Sequence, residues 1–250
     1  MSRRIAFAAL TDQGLARANN EDSFTVLKGS DEFSYLVVIA DGMGGHQRGE
    51  LASSTAVHYC SERLARQIHP SMSIEEVEQV LSDIIAKTNL KVYLQSLENP
   101  ENNGMGTTLT VGLFLHDQLI IGHVGDARVF LLRGHKLRSI TKDHTLVQAM
   151  VDKGDITAEQ AMVHPKRNVI TRALGTPELT VADIYLVKVQ KEDKFLFSTD
   201  GLHDYVDLND VKEILRNEKD PEIACARLVD LANSEAGADN VTVICGYVLA

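Results

Sequence analysis

Short apolar runs open the chain and predict β-strands. They cover about residues 4–10, 22–27 and 34–40, and the third is continuous and rich in β-branched residues, which is typical of a strand buried on both faces. Two helical patterns follow at about 50–69 and 73–97, where apolar residues recur at the spacing of one helix face. The first part of the chain therefore predicts three strands and then a pair of helices.

The second half of the chain carries strand patterns in blocks, separated by pairs of helical patterns. Strands and helices do not alternate as βαβ units, which favours antiparallel sheets with helices packed outside them, an α+β architecture. No repeat or linker divides the sequence, so we expect a single domain spanning 1–250. The predicted strands are 107–115, 119–124, 129–132, 180–189, 194–198 and 241–248, and the predicted helices are 144–152, 157–162, 208–217 and 221–234.

Composition narrows the classes of partner. The formal net charge is −10, from 35 acidic and 25 basic residues, which argues against nucleic acid because that partner requires a basic surface. No apolar run approaches the ~18 residues of a membrane span. Three cysteines without a C-x-x-C motif favour a reducing compartment. We therefore expect a cytoplasmic protein that binds neither nucleic acid nor membrane.

Four aspartates occur beside predicted strands. Asp41 follows the third apolar run and precedes Gly42, Asp126 and Asp200 each follow a strand pattern, and Asp239 comes just before the last strand. Each alone also fits a turn or polar loop. Together they predict carboxylates that would repel one another unless cations bind between them. A site made only of oxygen ligands suits Mg²⁺ or Mn²⁺ rather than zinc.

Charged residues upstream supply a candidate phosphate site. Arg17 precedes the acidic pair Glu21-Asp22. These residues fit either a surface ion-pair cluster, which contributes little, or an arginine that binds phosphate through two N–H groups. In the second interpretation Glu21 and Asp22 orient metal-bound waters.

Six short motifs occur in the order found in type-2C (PPM) protein phosphatases, and the chain resembles the bacterial branch of that family from about residue 4 to 248. Singly the motifs are weak, but together and in order they are specific. The motifs are Arg17 with Asn20-Glu21-Asp22, Asp41-Gly42-Met43-Gly44-Gly45-His46, Gly104-Met105-Gly106-Thr107-Thr108, Gly125-Asp126-Ala127-Arg128, Ser198-Thr199-Asp200-Gly201-Leu202, and Asp239-Asn240-Val241-Thr242.

The resemblance implies a fold and a metal site. The fold would be two antiparallel sheets packed face to face with helices on both outer sides, and a flap at about 144–178 would lie beside the active site. Asp41 would bridge two Mn²⁺ or Mg²⁺ ions, and the Gly42 carbonyl would bind one of them. Asp200 and Asp239 would bind the other ion. Asp126, with Asp200, matches the position of a third, weaker metal.

The resemblance also assigns the remaining site residues. Arg17 would hold the substrate phosphate, while Glu21 and Asp22 would support the water shell. Eukaryotic members carry a histidine directly after the Asp-Gly pair as a proposed general acid, but this chain has Met43 there. His46 lies three residues further on and fits a loop histidine better than a relocated acid. The general acid is therefore left open.

The implied activity is hydrolysis of phosphoserine and phosphothreonine on proteins by a water that two metal ions activate. The substrates would include a Ser/Thr kinase, and the enzyme would act as a monomer. Two alternatives stay open: a pseudophosphatase that binds phosphoproteins without turnover, and a hydrolase of small phosphorylated molecules. Asp41, Asp200 and Asp239 are all present, which argues against the pseudophosphatase because loss of a ligand would be its signature.

Overall fold

The computed structural model describes residues 4–29, 35–44 and 48–249, and in these ranges the chain forms strands and helices in the predicted order. The strands are β1 (Ile5–Asp12), β2 (Asp22–Lys28), β3 (Tyr35–Met43), β4 (Gly106–Thr107), β5 (Leu109–Leu115), β6 (Gln118–Val124), β7 (Arg128–Arg133), β8 (Lys136–Ser139), β9 (Asp183–Lys188), β10 (Lys194–Ser198) and β11 (Val241–Val248). The α-helices are α1 (Arg48–Gln67), α2 (Ile74–Glu98), α3 (Leu146–Lys153), α4 (Ala158–Met162), α5 (Asp200–His203), α6 (Leu208–Asn217) and α7 (Pro221–Glu235).

The described strands assemble into two antiparallel sheets. The first sheet has the order β1-β11-β10-β7-β8, and the second has the order β2-β3-β5-β6-β9, with β4 paired to the end of β3. The first and last strands of the chain are neighbours in the first sheet, in a register that places Asp12 opposite Val241. Residues far apart in sequence are therefore brought to one edge.

The two sheets pack face to face through apolar side chains. In β3, Val37 and Ile39 point into this interface, while Leu36 and Val38 join the core beneath the helices. This alternation explains the continuous apolar run, because both faces of the strand are buried. The interface is completed by aromatic and aliphatic side chains, among them Phe114, Ile121, Val129, Leu131, Phe195, Phe197 and Ile244.

Helices cover the outer face of each sheet. α1 and α2 pack on the second sheet, and α6 and α7 pack on the first, so the predicted α-β-β-α sandwich is confirmed. Ser73 begins α2 with a capping box, since its side chain accepts from the Glu76 N–H and the Glu76 side chain accepts from the Ser73 N–H. None of the helices in the described ranges combines the length and apolar character needed to cross a bilayer.

Some boundaries differ from the sequence-based prediction. β3 continues past Asp41 to Met43, because Gly42 and Met43 pair with β4. β9 begins at Asp183, three residues later than predicted. The short elements β8 and α5 were not predicted. β8 is largely exposed at the sheet edge and has no buried-face pattern, and α5 is only four residues long.

Candidate active site

Asp41 lies near the end of β3, where two threonines hold its backbone. Its N–H donates to Thr108 Oγ1 at 2.8 Å. Its carbonyl oxygen accepts from the Thr108 N–H and from Thr107 Oγ1, each at 2.8 Å. On the other side β2 pairs with β3 and places Asp22 opposite Asp41. The Asp41 carboxylate is therefore presented from a rigid backbone, as a precise binding site requires.

Gly42 allows the start of α1 to approach β3 closely. A Cβ atom at Gly42 would lie 2.1 Å from the carbonyl oxygen of Gly49, and a Cβ atom at Gly49 would lie 2.6 Å from Cδ of Glu21. The Gly42 N–H donates to the Glu21 carbonyl oxygen at 3.1 Å. Only glycine fits at this contact between strand, helix and loop, which explains the glycine after Asp41 by packing and not merely by a turn.

The predicted aspartates influence one another electrostatically. The pKa of Asp200 is raised to about 6, first by burial and then by the charge of Asp239. Burial, then Asp22 and Asp200, raise the pKa of Asp41 well above that of an ordinary aspartate. Burial and Asp200 do the same to the pKa of Asp126. Shifts of one sign are expected where carboxylates share a site with too little positive charge.

The charge of Asp200 contributes to the raised pKa of Asp41, so the two carboxyl groups lie close enough to repel each other. Oδ1 of Asp200 is buried and has no donor among the described residues, an arrangement that is costly unless an ion or water fills it. Within the described ranges, no three His, Cys, Asp or Glu side chains form a ready-made metal-binding group. The residues fit a hard cation by donor type, charge and the unpaired oxygen.

Arg17 lies at the mouth of this cluster. Its Nη2 donates to Oδ2 of Asp239 at 2.7 Å, and its side chain is 50 % exposed. The loop that carries it is held by Asn240, whose Nδ2 donates to the carbonyl oxygens of Gln13 and Asn19 at 2.8 Å. The guanidinium is therefore anchored beside the aspartates while part of it faces solvent, as a phosphate-binding arginine requires.

Asp22 is buried beneath the cluster and joins the two sheets. Its Oδ2 accepts from Thr199 Oγ1 at 2.9 Å and from Thr242 Oγ1 at 2.7 Å, both on the first sheet's side, while its Oδ1 is buried without a partner among the residues described. Burial raises its pKa to about 7. Glu21 lies closer to α1, where its carboxyl group packs against Gly49. The two acids thus border the cluster from below and from the helix side.

Asp126 is held by a buried turn next to Asp200. Gly125, with φ of +112°, precedes it, and a Cβ atom there would lie 2.5 Å from Thr108. The Gly125 N–H donates to Nδ1 of His144 at 3.0 Å. Arg128, a potential partner in the turn interpretation, instead makes a two-pronged bond to Asp143, with Nη2 to Oδ2 at 2.6 Å and Nε to Oδ1 at 2.9 Å. Asp126 forms no ion pair among the described residues, and the charge of Asp200 contributes to its raised pKa.

The segment at 144–178, predicted from the sequence to be a flap, contains α3 and α4 and is held near both ends. His144 bonds to the Gly125 turn, and Oδ1 of Asn89 accepts from the N–H groups of Gly175 and Thr176 at 2.8 and 3.1 Å. A cavity of about 440 Å³ lies between this segment and the helices α5 and α6. Its lining includes Asp126 and Asp200. We name it the catalytic-side cavity.

Some residues that influence the aspartate cluster were not predicted from the sequence. Asp204 raises the pKa of Asp200 and Asp126 further and lies 3.8 Å from Arg167 of the flap. Its spacing of four residues from Asp200 on one helical turn was an available signal. No local sequence pattern marks His144, because its hydrogen bond to the Gly125 turn forms only when the folded chain brings the two residues together. Gly45 and His46 lie outside the described residues.

Comparison with known proteins agrees with this geometry. The model of the family described as Protein phosphatase 2C matches residues 16–233. The serine/threonine phosphatase stp of Listeria monocytogenes serotype 4b (strain F2365) is 37 % identical over 234 residues, which cover 94 % of this chain and 92 % of that protein.

Solved structures give the same result. The serine/threonine phosphatase Stp1 from Staphylococcus aureus superposes with a TM-score of 0.93 at 32 % identity, covering 100 % of this chain and 97 % of that one. The catalytic domain of the phosphatase PstP, solved with two manganese ions, superposes with a TM-score of 0.83 at 35 % identity. The superposition covers 98 % of this chain and 99 % of that one. The chain therefore belongs to the protein phosphatase 2C family and is a serine/threonine protein phosphatase.

Proposed function

We propose that this phosphatase hydrolyses phosphoserine and phosphothreonine on proteins with the help of two divalent cations, Mn²⁺ or Mg²⁺. The observation that carries the proposal is the group formed by Asp41, Asp126 and Asp200, whose pKa values are all raised, together with a buried Oδ1 of Asp200 that has no donor among the described residues. Donor sets made only of oxygen suit such cations. The relative solved with two manganese ions supports the assignment.

Each acid has a proposed place around the cations. Asp41 would contact both ions, and the carbonyl of Gly42 would contact one of them. Asp200 and Asp239 would hold the other ion, while Asp126, sharing Asp200, would hold a third and weaker one. The raised pKa values of Asp41, Asp200 and Asp126 support this grouping, because a cation is the partner that would stabilise their charged forms.

The other residues would bind and orient the substrate. Bound divalent cations would supply electrophilic stabilisation of the phosphoryl oxygens and acidify water. Arg17 would clamp two phosphoryl oxygens from the solvent side. Glu21 and Asp22 would orient waters at the base of the site. The leaving alkoxide needs a proton that Met43 cannot give, so a solvent molecule in the cleft is the proposed donor.

Metal-reconstitution kinetics test the proposal. Protein treated with EDTA should lose hydrolysis of para-nitrophenyl phosphate and of a phosphothreonine peptide, and added Mn²⁺ or Mg²⁺ should restore both. Full activity after EDTA treatment, or rescue by zinc alone, would contradict it. A panel of small phosphorylated metabolites serves as the comparison. Faster turnover of a metabolite than of the peptide would favour the small-molecule hydrolase instead, and metal binding without any turnover would favour the pseudophosphatase.

The proposal extends to the cellular setting. The enzyme would act as a cytoplasmic monomer on phosphoproteins that include a Ser/Thr kinase. Cys60, Cys225 and Cys245 are all free and buried thiols, in line with a reducing compartment. Comparative phosphoproteomics of cells with and without the protein tests this extension, since kinase phosphosites should rise when it is absent. Unchanged phosphosites on every kinase would contradict it.

A further inference from the structure

A second cavity, whose charged lining residues are mostly cationic, lies next to the catalytic-side cavity. Its volume is about 600 Å³, and it is formed by the β7–β8 hairpin, the segment at 141–143 and the start of α6. We name it the basic cavity. Its charged lining residues are Arg128, Lys136, Arg138, Lys142 and Lys212, against the single acid Asp143. Such a local excess of positive charge stands out in a chain with a net charge of −10.

Two of these cations are already compensated. Arg128 binds Asp143 through two prongs, and Nζ of Lys142 lies 2.7 Å from Oδ1 of Asp152. The other three, Lys136, Arg138 and Lys212, form no ion pair with any residue that the structure describes. Lys136 and Arg138 are exposed on the edge strand β8, and Lys212 is half-buried on α6. The basic cavity therefore offers three uncompensated positive charges.

The basic cavity adjoins the catalytic-side cavity. It shares five lining residues with the catalytic-side cavity, which itself reaches Asp126 and Asp200. A peptide chain bound at the catalytic site would therefore have to extend only past these shared residues to reach the three unpaired cations. The residues common to both cavities are Arg128, Asp143, Gln148, Leu208 and Asn209.

We propose that the basic cavity binds an acidic segment, containing Asp or Glu, of the phosphoprotein substrate while its phosphorylated residue occupies the catalytic site. This inference rests on the proposed phosphatase function. The cations come from two elements, β8 and α6, so their charge is spread around the rim and suits several carboxylates better than one compact anion. Leu137 and Leu208 also line the cavity and would cover the aliphatic parts of the bound segment.

The same charges favour an acidic peptide over nucleic acid. Outside the basic cavity the chain is strongly acidic, and a long polyanion would be repelled wherever it extended beyond the cavity. A short acidic segment needs only a few favourable contacts and places little charge elsewhere. The position of the basic cavity beside the catalytic aspartates makes it a determinant of which phosphorylated residues are dephosphorylated quickly.

Steady-state kinetics on the Mn²⁺-loaded enzyme test the proposal. Two phosphothreonine peptides of equal length are compared, one with three glutamates on each side and one with glutamines in their place. The wild type should show a lower KM for the acidic peptide. In the triple variant Lys136→Ala, Arg138→Ala, Lys212→Ala, the KM for the acidic peptide should rise about tenfold, as three partly exposed ion pairs allow. Its kcat, and its rate on para-nitrophenyl phosphate, should not change.

A matched control removes the same charge elsewhere. Lys87→Ala, Lys91→Ala, Lys191→Ala takes three exposed lysines from outside both cavities and should leave both KM values unchanged. The wild-type preference should also fall as salt rises. The proposal would be overturned if wild type showed equal KM values for the two peptides, or if the KM for the acidic peptide rose equally in both triple variants. Tighter binding of an RNA oligonucleotide than of the acidic peptide would also overturn it. If the Mn²⁺-loaded wild type did not hydrolyse para-nitrophenyl phosphate at all, that result would instead refute the proposed function.

Discussion

Nη2 of Arg17 donates a 2.7 Å hydrogen bond to Oδ2 of Asp239. The predicted phosphate-binding residue thus contacts a predicted metal ligand 222 positions away in the chain. The contact forms because β1 and β11 are antiparallel neighbours, which brings the loop after β1 to the start of β11. With the arginine half exposed, such an ion pair contributes only about 0.2–1 kcal/mol. It is weak enough for Arg17 to exchange Asp239 for a phosphoryl group.

Arg17→Ala tests that exchange. Hydrogen bonds to charged groups contribute about 1.5–3 kcal/mol, so kcat/KM for a phosphopeptide should fall roughly ten- to hundredfold, mainly through KM. Mn²⁺ binding measured by calorimetry should stay nearly intact, because the proposed role of Arg17 is to contact the substrate and not the ion. Arg63→Ala, on the exposed face of α1, is the control. Unchanged KM and kcat in Arg17→Ala would return Arg17 to the surface ion-pair interpretation.

Asp126→Ala separates a weak metal site from a structural turn. Asp126 is buried beside Asp200, and Arg128 is occupied by Asp143, so removing its carboxylate breaks no ion pair and relieves repulsion. We expect phosphopeptide turnover to fall about tenfold or more, while the tight Mn²⁺ sites still fill and Tm in EDTA does not drop. Calorimetry and single-turnover rates measure this. Normal turnover with an unchanged weak-site isotherm would eliminate the third-metal role.

Much of the site could be predicted because each acid stands beside a strong strand pattern. The run before Asp41 and the strands beside Asp200 and Asp239 are local features. Antiparallel pairing of β10 with β11 accounts for the proximity of Asp200 and Asp239, and pairing of β2 with β3 places Asp22 opposite Asp41. The contact of Asp22 with Thr199 could not be predicted in this way. It crosses from one sheet to the other, and its distance depends on how the two sheets pack.

The unpredicted elements were the exposed edge strand β8 and the four-residue helix α5. β8 exposes Lys136 and Arg138 at the edge of the first sheet, so no alternation of apolar residues marks it. The basic cavity was missed for the same reason, since its cations come from β8 and α6 and are scattered in the sequence. Sequence periodicity detects buried faces well, but it does not report which exposed residues become neighbours.

The raised pKa of Asp200 predicts a pH-dependent stability in EDTA. Its folded pKa of about 6, raised mainly by burial, exceeds the ordinary value of about 3.9, so the folded state holds its proton more tightly. The stabilisation of the folded state by protonated Asp200 is fully present below about pH 4 and is lost as the pH rises through about 6. The difference in Tm between Asp200→Asn and wild type should therefore shift by roughly 5 °C in favour of the variant as the pH rises from 4.5 to 7.

Two comparisons complete this test. Asp83→Asn, on the exposed side of α2, should track wild type across the same pH range. Saturating Mn²⁺ should reverse the order at pH 7, because wild type then gains ligand-binding energy that the variant lacks. A constant Tm difference between Asp200→Asn and wild type at all pH values would show that the burial of this carboxylate creates no proton linkage.

The central claim is that Asp41 holds divalent cations that the reaction requires, and Asp41→Asn tests it most directly. Asparagine keeps the size of the side chain but removes its charge and its repulsion with Asp22 and Asp200, so the variant should fold with a Tm in EDTA at least equal to that of wild type. Mn²⁺ titration by calorimetry, followed by phosphopeptide kinetics on the same samples, is the measurement. The account predicts loss of tight Mn²⁺ binding and a fall in kcat of at least about a hundredfold. A folded Asp41→Asn protein with wild-type turnover would contradict it.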